Sequence, residues 1–174
     1  AVGIRNTLLG TVYGIAIVGC FAAIVMFYQV SPVYLLSVMA LVWIADIGAY
    51  FSGKAFGKRK LAPSISPGKS WEGAIGRGIA VLLFAAATIL SNSPMVADTF
   101  VVKLHASKGW LATMAILAVL VAASIVGDLF ESMLKRRAGV KDSSNLLPGH
   151  GGVLARIDAL VPVLPFAALI HAWL

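Results

Sequence analysis

Long apolar segments separated by short polar connections dominate the chain. Apolar side chains fill residues 7–28, 33–51, 73–90, 109–126 and 153–173. Each segment comes close to, or exceeds, the roughly 20 mostly apolar residues that a membrane-spanning helix needs. The pattern predicts an all-α integral membrane protein, a polytopic bundle of about five transmembrane helices.

The composition supports this class and excludes an ordinary soluble domain. Hydrophobic residues make up 60% of the chain and charged residues 12%, whereas soluble domains carry about 25% charged residues. The net charge of +7 would suggest nucleic acid in a soluble protein, but in a membrane protein it reflects the positive-inside bias. We therefore expect no nucleic-acid partner. The single cysteine, Cys20, has no partner for an internal disulfide.

The distribution of Lys and Arg predicts the orientation in the membrane. Connections 52–72 and 128–152 together hold nine basic residues, and connection 91–108 holds two. Basic connections stay in the cytoplasm, so we expect both long polar stretches on the cytoplasmic side. There they can line one polar cavity open to that side.

Asp46, Arg156 and Asp158 are charged residues that fall within or at the ends of apolar segments. A charge at the bilayer centre costs roughly 2.5–3.5 kcal/mol on insertion scales. One interpretation is an ion pair that fixes helix packing, or a charged group that reaches the interface. The other is a functional polar cavity.

Asp128, Glu131, Ser132 and Lys135 follow the fourth apolar segment at helical spacing. If the helix continues, they lie on one stripe. Carboxylates at the membrane boundary, facing a basic loop, suit magnesium and phosphate, because magnesium takes oxygen ligands and shares them with substrate phosphates. The alternative is a solvated helix end with internal salt bridges.

The run from Gly149 to Gly152 lies just before the fifth apolar segment. Glycines permit close approach of the backbone to a ligand, and amides at a helix N-terminus bind anions. We interpret His150 as a phosphate contact or a structural group in preference to a proton donor. Scattered histidines and a buried cysteine do not have the spacing of a zinc site.

The other basic connection contains "SPGKSWEG" at residues 66–73. Ser70, Trp71 and Glu72 resemble a helix start, with Trp71 at interfacial depth. Lys69 can meet a phosphate as a point charge. An ordinary loop with an N-cap and positive-inside lysines is the alternative.

Taken together, these residues resemble a known family. The run "SMLKRRAGVKDSSNLLPGHGGVLARID", residues 132–158, is similar to the signature of the phosphatidate cytidylyltransferases, also called CDP-diacylglycerol synthases. That signature has Ser, Lys-Arg, Lys-Asp, a Gly-His-Gly-Gly region and Asp-Arg-x-Asp in this order. Segments 45–58 ("ADIGAYFSGKAFGK") and 66–73 also resemble that family, so the similarity is colinear over about residues 45–159.

The resemblance implies transfer of a cytidylyl group from CTP to phosphatidic acid, which gives CDP-diacylglycerol and pyrophosphate. It implies a Mg²⁺ cofactor in a two-cation site whose second ion is unknown, and metal ligands at Asp128 and at position 155. The implied catalytic residues are Asp128, Lys135, Arg136, Lys141, Asp142 and Asp158. The implied substrate contacts are Asp46, Ser66, Lys69, Ser70, Glu72, Ser132, His150, Gly151, Gly152 and Arg156.

Two positions depart from the family pattern. Ala155 stands where the family has Asp, so we expect one metal ligand to be missing and the activity to be impaired. We interpret this as an introduced substitution, natural divergence being the alternative. Arg77 stands where the family tends to have consecutive glycines. The sequence leaves open whether Arg77 reaches the interface or contacts the lipid phosphate.

We expect residues 1–174 to form a single transmembrane catalytic domain, the C-terminal part of a longer chain. The expected location is a bacterial inner membrane, with the site facing the cytoplasm. Besides CTP, the expected partners are phosphatidic acid and bilayer lipids; the oligomeric state stays open, a homodimer included. Two alternatives remain at this stage: an anion transporter or channel, and a cytidylyltransferase acting on an isoprenoid lipid phosphate.

Overall fold

The computed structural model describes residues 2–139 and 158–174, with side chains from residue 7 onwards. This part of the chain forms five α-helices and one antiparallel hairpin. The helices are α1 (Val2–Val30), α2 (Pro32–Phe56), α3 (Trp71–Ser91), α4 (Phe100–Arg137) and α5 (Leu160–His171). The hairpin strands are β1 (Lys60–Ala62) and β2 (Ser66–Ser70), and a 3₁₀ turn covers Pro94–Val96.

Helices α1 to α4 are long and apolar enough to cross a membrane, α1 from Thr7 onwards. Large apolar side chains such as Leu8, Ile15 and Leu83 lie exposed on their outer faces, as lipid-facing residues do. The predicted all-α membrane bundle is therefore confirmed. Helix α5 is apolar but only 12 residues long, and residues 153–157 of the fifth predicted span lie outside the described residues.

The pair α2 and α3 packs closely because glycines face each other across it. A Cβ atom added at Gly48 would lie 2.5 Å from the Cβ atom of Ala80, and one added at Gly76 would overlap the side chain of Ser52. Small residues let helix backbones approach closely inside membranes, where packing and hydrogen bonds drive association. This contact fixes the position of α3 relative to α2 below the hairpin.

The core at the end remote from the hairpin is aromatic. Phe27, Tyr34 and Phe100 are fully buried; the Phe27 ring contacts the Tyr34 ring at a tilt and the Phe100 ring contacts it edge-on. The Tyr34 hydroxyl lies 2.8 Å from Nδ1 of His171, which joins α2 to the end of α5. A polar handle at the edge of an aromatic cluster satisfies the hydroxyl without opening the core.

The prediction of a polar connection over residues 91–108 is wrong in its second half. Helix α4 already begins at Phe100, because Phe100, Val101 and Leu104 recur at helical spacing and are all buried. At Gly109 the backbone has φ +76°, which interrupts the helical geometry. Glycine adopts this conformation readily, and the predicted span began at this residue.

The connection predicted over residues 52–72 also contains regular structure. The backbone N–H of Trp71 donates to the carbonyl of Arg59, and the Arg59 N–H lies 3.3 Å from each carboxylate oxygen of Glu72. The Ser70 hydroxyl caps α3 by accepting from the Gly73 N–H at 3.1 Å, so the helix start predicted at residues 70–72 is confirmed. The hairpin is thus attached to the N-terminus of α3.

A close approach between α4 and the start of α5 brings the chain's last acidic residue to the others. A Cβ atom added at Gly127 would lie 2.9 Å from Cδ of Pro162 and 3.3 Å from the carbonyl oxygen of Asp158. Glycine at this position therefore lets the segment before α5 pack beside Asp128.

Candidate active site

Arg77 lies at the centre of a buried ion cluster that joins three helices. Its Nη2 atom donates to Asp46 Oδ1 and to Asp128 Oδ2, both at 2.7 Å, and its Nη1 atom donates to Ser124 Oγ at 2.6 Å. The Asp128 side chain is 7% exposed and that of Asp46 is half exposed. The planar guanidinium suits this fork-like arrangement better than a lysine would.

The two polar stretches predicted from the sequence meet at this cluster. The Lys69 ammonium on β2 lies 3.3 Å from Asp128 Oδ2 on α4. Farther out, Arg136 Nε donates to the backbone carbonyl of Ile65 in the hairpin at 3.3 Å. Residues far apart in the sequence thus come together at the end of the bundle where α2 ends and α3 begins.

A cavity of about 200 Å³ opens at this point. Its polar lining includes Lys69, Ser70, Arg77 and Asp128, and its remaining wall comes from Ala49, Tyr50, Gly53, Leu61, Gly68, Gly73, Ala74 and Ile125. A small number of convergent polar groups in a mostly apolar pocket is typical of a ligand site. The two cations at its base make it suitable for phosphate.

The predicted stripe on α4 is present as a helix face. Asp128 and Glu131 are buried, and the Lys135 ammonium lies 2.9 Å from Glu131 Oε2. Asp158 lies near them, and its Oδ1 accepts from the backbone N–H of Ala159 at 2.8 Å. Asp128, Glu131 and Asp158 are close enough to interact electrostatically. Three carboxyl groups therefore lie together beside the basic last turn of α4, which carries Lys135, Arg136 and Arg137.

Some carboxylate oxygens in this group are buried without a hydrogen-bond donor in the described part of the chain. They are Asp128 Oδ1 and Glu131 Oε1, whereas Glu131 Oε2 is paired with the Lys135 ammonium. Orphaned oxygens of this kind suit a hard cation. No group of three His, Cys, Asp or Glu within residues 2–139 and 158–174 is arranged to hold a metal by itself. The residues fit a magnesium ion that takes one or two carboxylates and completes its shell with phosphate oxygens.

Other predicted site residues near the cluster differ in whether they line the cavity: Ser70 does, and Glu72, Ser66 and Ser132 do not. Glu72 is engaged by the Arg59 backbone and borders a separate groove between α2 and α3. Ser66 lies partly buried on β2, and Ser132 lies partly buried on α4. The Ser70 hydroxyl accepts the α3 cap and keeps its proton free to donate into the cavity.

The remaining predicted residues lie outside the described part of the chain. They are Lys141, Asp142, His150, Gly151, Gly152, Ala155 and Arg156. The roles assigned to them stay predictions.

Sequence reasoning missed one member of the cluster and left another undecided. Ser124 was not singled out, although it precedes Asp128 by one helical turn and is a polar residue inside an apolar segment. For Arg77 the sequence did not decide between a side chain that reaches the interface and one that contacts a lipid phosphate. The structure shows it inside the bundle, with 6% of the residue exposed. Its position one turn after Gly73, on the buried face of α3, was the available signal.

Comparison with known proteins gives consistent results. A family model described as the cytidylyltransferase family matches residues 3–174. A phosphatidate cytidylyltransferase of Haemophilus influenzae is 57% identical over 134 residues, which cover 76% of this chain and 43% of that protein. A Pseudomonas aeruginosa protein of the same name is 58% identical over 139 residues, covering 79% and 47%.

A more distant protein with this name, from Bacillus subtilis, is 40% identical over 138 residues, which cover 79% of this chain and 47% of that protein. The chain therefore spans less than half the length of these curated relatives.

Proposed function

We propose, because the chain belongs to the cytidylyltransferase family, that this protein transfers a cytidylyl group from CTP to phosphatidic acid. The products are CDP-diacylglycerol and pyrophosphate. Its relatives in Haemophilus influenzae and Pseudomonas aeruginosa carry the name of this activity. The substrates of this chain are our inference from that kinship and from the site.

The observation that carries the proposal is the ion pair between Lys69 and Asp128 in the cavity. The pair supports the proposal because an ammonium group suits phosphate and a buried carboxylate suits magnesium, and the two lie side by side. A transfer between two phosphorylated molecules gathers several negative charges, so both kinds of group are needed. A site at the end of a membrane bundle also lets a lipid keep its tails in the bilayer while its head group reaches a soluble nucleotide.

The reaction forms one phosphorus–oxygen bond and breaks another. A phosphate oxygen of phosphatidic acid attacks the α-phosphorus of CTP, and pyrophosphate leaves with the electrons of the broken bond. Lys69 binds phosphate oxygens, and the Ser70 hydroxyl donates a hydrogen bond to one of them. These groups position the reactants and stabilise charge, and no covalent enzyme intermediate is required.

Magnesium, when bound, would neutralise phosphate oxygens and align the attacking and leaving groups. In this chain Asp128 Oδ1 would hold it, because that oxygen is buried and has no donor among the described residues. The resemblance implies a second ligand at position 155, where this chain has Ala155. We therefore propose that the two-cation site is incomplete and that turnover is low in this form.

The orientation is proposed on charge. The end of the bundle that carries the cavity also carries Lys54, Lys58, Arg59, Lys60, Lys135, Arg136 and Arg137, whereas the remote end carries Lys103 and Lys108. The positive-inside rule then places the cavity at the cytoplasmic face of a bacterial inner membrane. CTP is a soluble nucleotide and would enter from that side.

The test is release of pyrophosphate by the purified protein in mixed micelles of detergent and phosphatidic acid, with CTP and Mg²⁺. The form with Ala155→Asp is measured in parallel, so that a low rate in the unaltered chain does not hide the activity. Product that depends on both CTP and phosphatidic acid supports the proposal. No product in either form would contradict it, and turnover only with an isoprenoid phosphate would change the acceptor.

A further inference from the structure

The Arg77 guanidinium binds the same carboxylate that a cation at Asp128 would use. Of the two Asp128 oxygens, Oδ2 accepts from Arg77 at 2.7 Å and lies 3.3 Å from the Lys69 ammonium. Only Oδ1 lacks a donor among the described residues. Asp128 therefore has one oxygen already neutralised by resident cations and one that is open.

Within the Arg77 cluster itself, the contacting side chains balance one another's charge without any added ion. Arg77 and Lys69 are the cations within ion-pair distance of Asp46 and Asp128 in the described ranges, so two positive charges meet two negative ones. Like charges in a partly buried site repel each other, and a divalent ion experiences twice the repulsion of a monovalent one at the same distance. A divalent cation approaching Asp128 must therefore overcome the guanidinium.

We propose that Arg77 is a built-in competitor of the divalent cation, which makes metal binding depend on the arrival of phosphate. This inference rests on the proposed function only for the identity of the phosphate. Without phosphate, the guanidinium holds Asp128 and Asp46 and the metal binds weakly. With phosphate in the cavity, Arg77 has a new anionic partner and releases Asp128 to the metal. The two ligands then bind with positive coupling.

The geometry gives Arg77 the required alternatives. It already lines the cavity together with Lys69 and Ser70, and a guanidinium binds phosphate oxygens in the same forked manner as carboxylates. Asp46, one of the two carboxylates that Arg77 contacts, is half exposed. Arg77 therefore holds Asp46 less firmly than it holds Asp128. Because Arg77 already lines the cavity, a rotation of its side chain toward the cavity is the change that the proposal requires.

The experiment measures Mn²⁺ binding to the protein in detergent by electron paramagnetic resonance, with no substrate and no turnover. Mn²⁺ is the probe because it takes the same oxygen ligands as magnesium. In the unaltered protein we expect weak binding that tightens when inorganic pyrophosphate is added. In Arg77→Gln we expect Mn²⁺ affinity without pyrophosphate to rise at least about tenfold, and pyrophosphate to add little.

Two further variants locate the effect. Arg77→Lys keeps the charge and is expected to remain closer to the unaltered protein than Arg77→Gln. Asp128→Asn introduced into the Arg77→Gln protein is expected to remove the gain, since the gain requires that carboxylate. If Mn²⁺ affinity does not rise in Arg77→Gln, or rises equally with Asn at position 128, the inference is wrong.

If Arg77→Gln does not fold, the proposal can still be tested in the unaltered protein. Micromolar Mn²⁺ binding there, unaffected by pyrophosphate, would overturn the proposal directly. The outcome is also separable from the proposed function. Tighter Mn²⁺ binding in Arg77→Gln without any cytidylyl transfer would support the role of Arg77 and reject the activity. Cytidylyl transfer with no change of Mn²⁺ binding in Arg77→Gln would support the activity and reject the role of Arg77.

Discussion

Lys69 on the hairpin and Asp128 on the fourth helix form an ion pair, with Nζ 3.3 Å from Oδ2. The Lys69 side chain is 31% exposed and that of Asp128 is 7% exposed. Both side chains line the cavity, but Lys69 is the more accessible of the two. This difference fits the proposed roles, in which Lys69 binds phosphate and Asp128 holds a cation.

Replacing Asp128 should remove the activity. In Asp128→Asn one charge is lost at the point where the metal is expected, and we predict a fall in the rate of pyrophosphate release of at least about 100-fold. The matched control is Asp98→Asn, because Asp98 forms an exposed ion pair with Lys103 at the other end of the bundle. Undiminished turnover in Asp128→Asn would place the site elsewhere.

Replacing Lys69 should weaken the binding of CTP more than the stability of the fold. Lys69→Gln removes the partly exposed cation of the cavity, and we predict an increase in the KM for CTP of about tenfold. Lys60→Gln is the control on the same hairpin, since Lys60 is exposed and does not line the cavity. An equal change in both variants would indicate a general effect of positive charge.

Restoring the carboxylate at position 155 should raise the activity. Ala155→Asp would supply the metal ligand that the family resemblance implies, and we predict at least about a tenfold faster transfer. Ala155→Asn is the matched control, because it has nearly the same volume and no charge. Equal pyrophosphate release from the unaltered protein and from Ala155→Asp would remove the metal-ligand role of this position.

The close packing of α2 against α3 predicts opposite effects of two similar substitutions. Gly76→Ala would overlap the Ser52 side chain and place a methyl 3.1 Å from the Gly48 carbonyl, so we predict a loss of about 1–3 kcal/mol in the free energy of unfolding. Gly78→Ala meets nothing within 4 Å and should be neutral or stabilising by up to about 1 kcal/mol.

Thermal unfolding in detergent, followed by circular dichroism, measures both effects. The two positions lie on one helix two residues apart, so helix propensity acts equally on them. If Gly76→Ala unfolds at the same temperature as Gly78→Ala, the close approach of the two helices is not as described.

The apolar pattern predicted the membrane bundle because segment length and hydropathy are local properties of the chain. It did not predict that α4 begins at Phe100, since the polar residues Lys103, His105 and Lys108 obscure the buried face formed by Phe100, Val101 and Leu104. The hairpin was not predicted because its strands are short, three residues in β1 and five in β2. In addition, β2 contains Pro67 and Gly68, which are unusual in strands.

The candidate site was predictable as far as its residue types carry chemistry by themselves. Lys69, Asp46 and Asp128 stood out as charges near or inside apolar segments. The partners of Arg77 did not, because pairing across helices depends on which faces meet in space. Ser124 illustrates this limit: a serine within an apolar helix has many possible uses, and only the neighbouring guanidinium gives it one.

A single side chain thus fastens the second, third and fourth helices to one another through Asp46, Ser124 and Asp128. A change of these contacts during the reaction would therefore also change the contacts that hold the three helices together. Ligand binding in the cavity would then change how closely the three helices pack. Substitutions that alter turnover would also change the stability of parts of the bundle far from the reacting atoms.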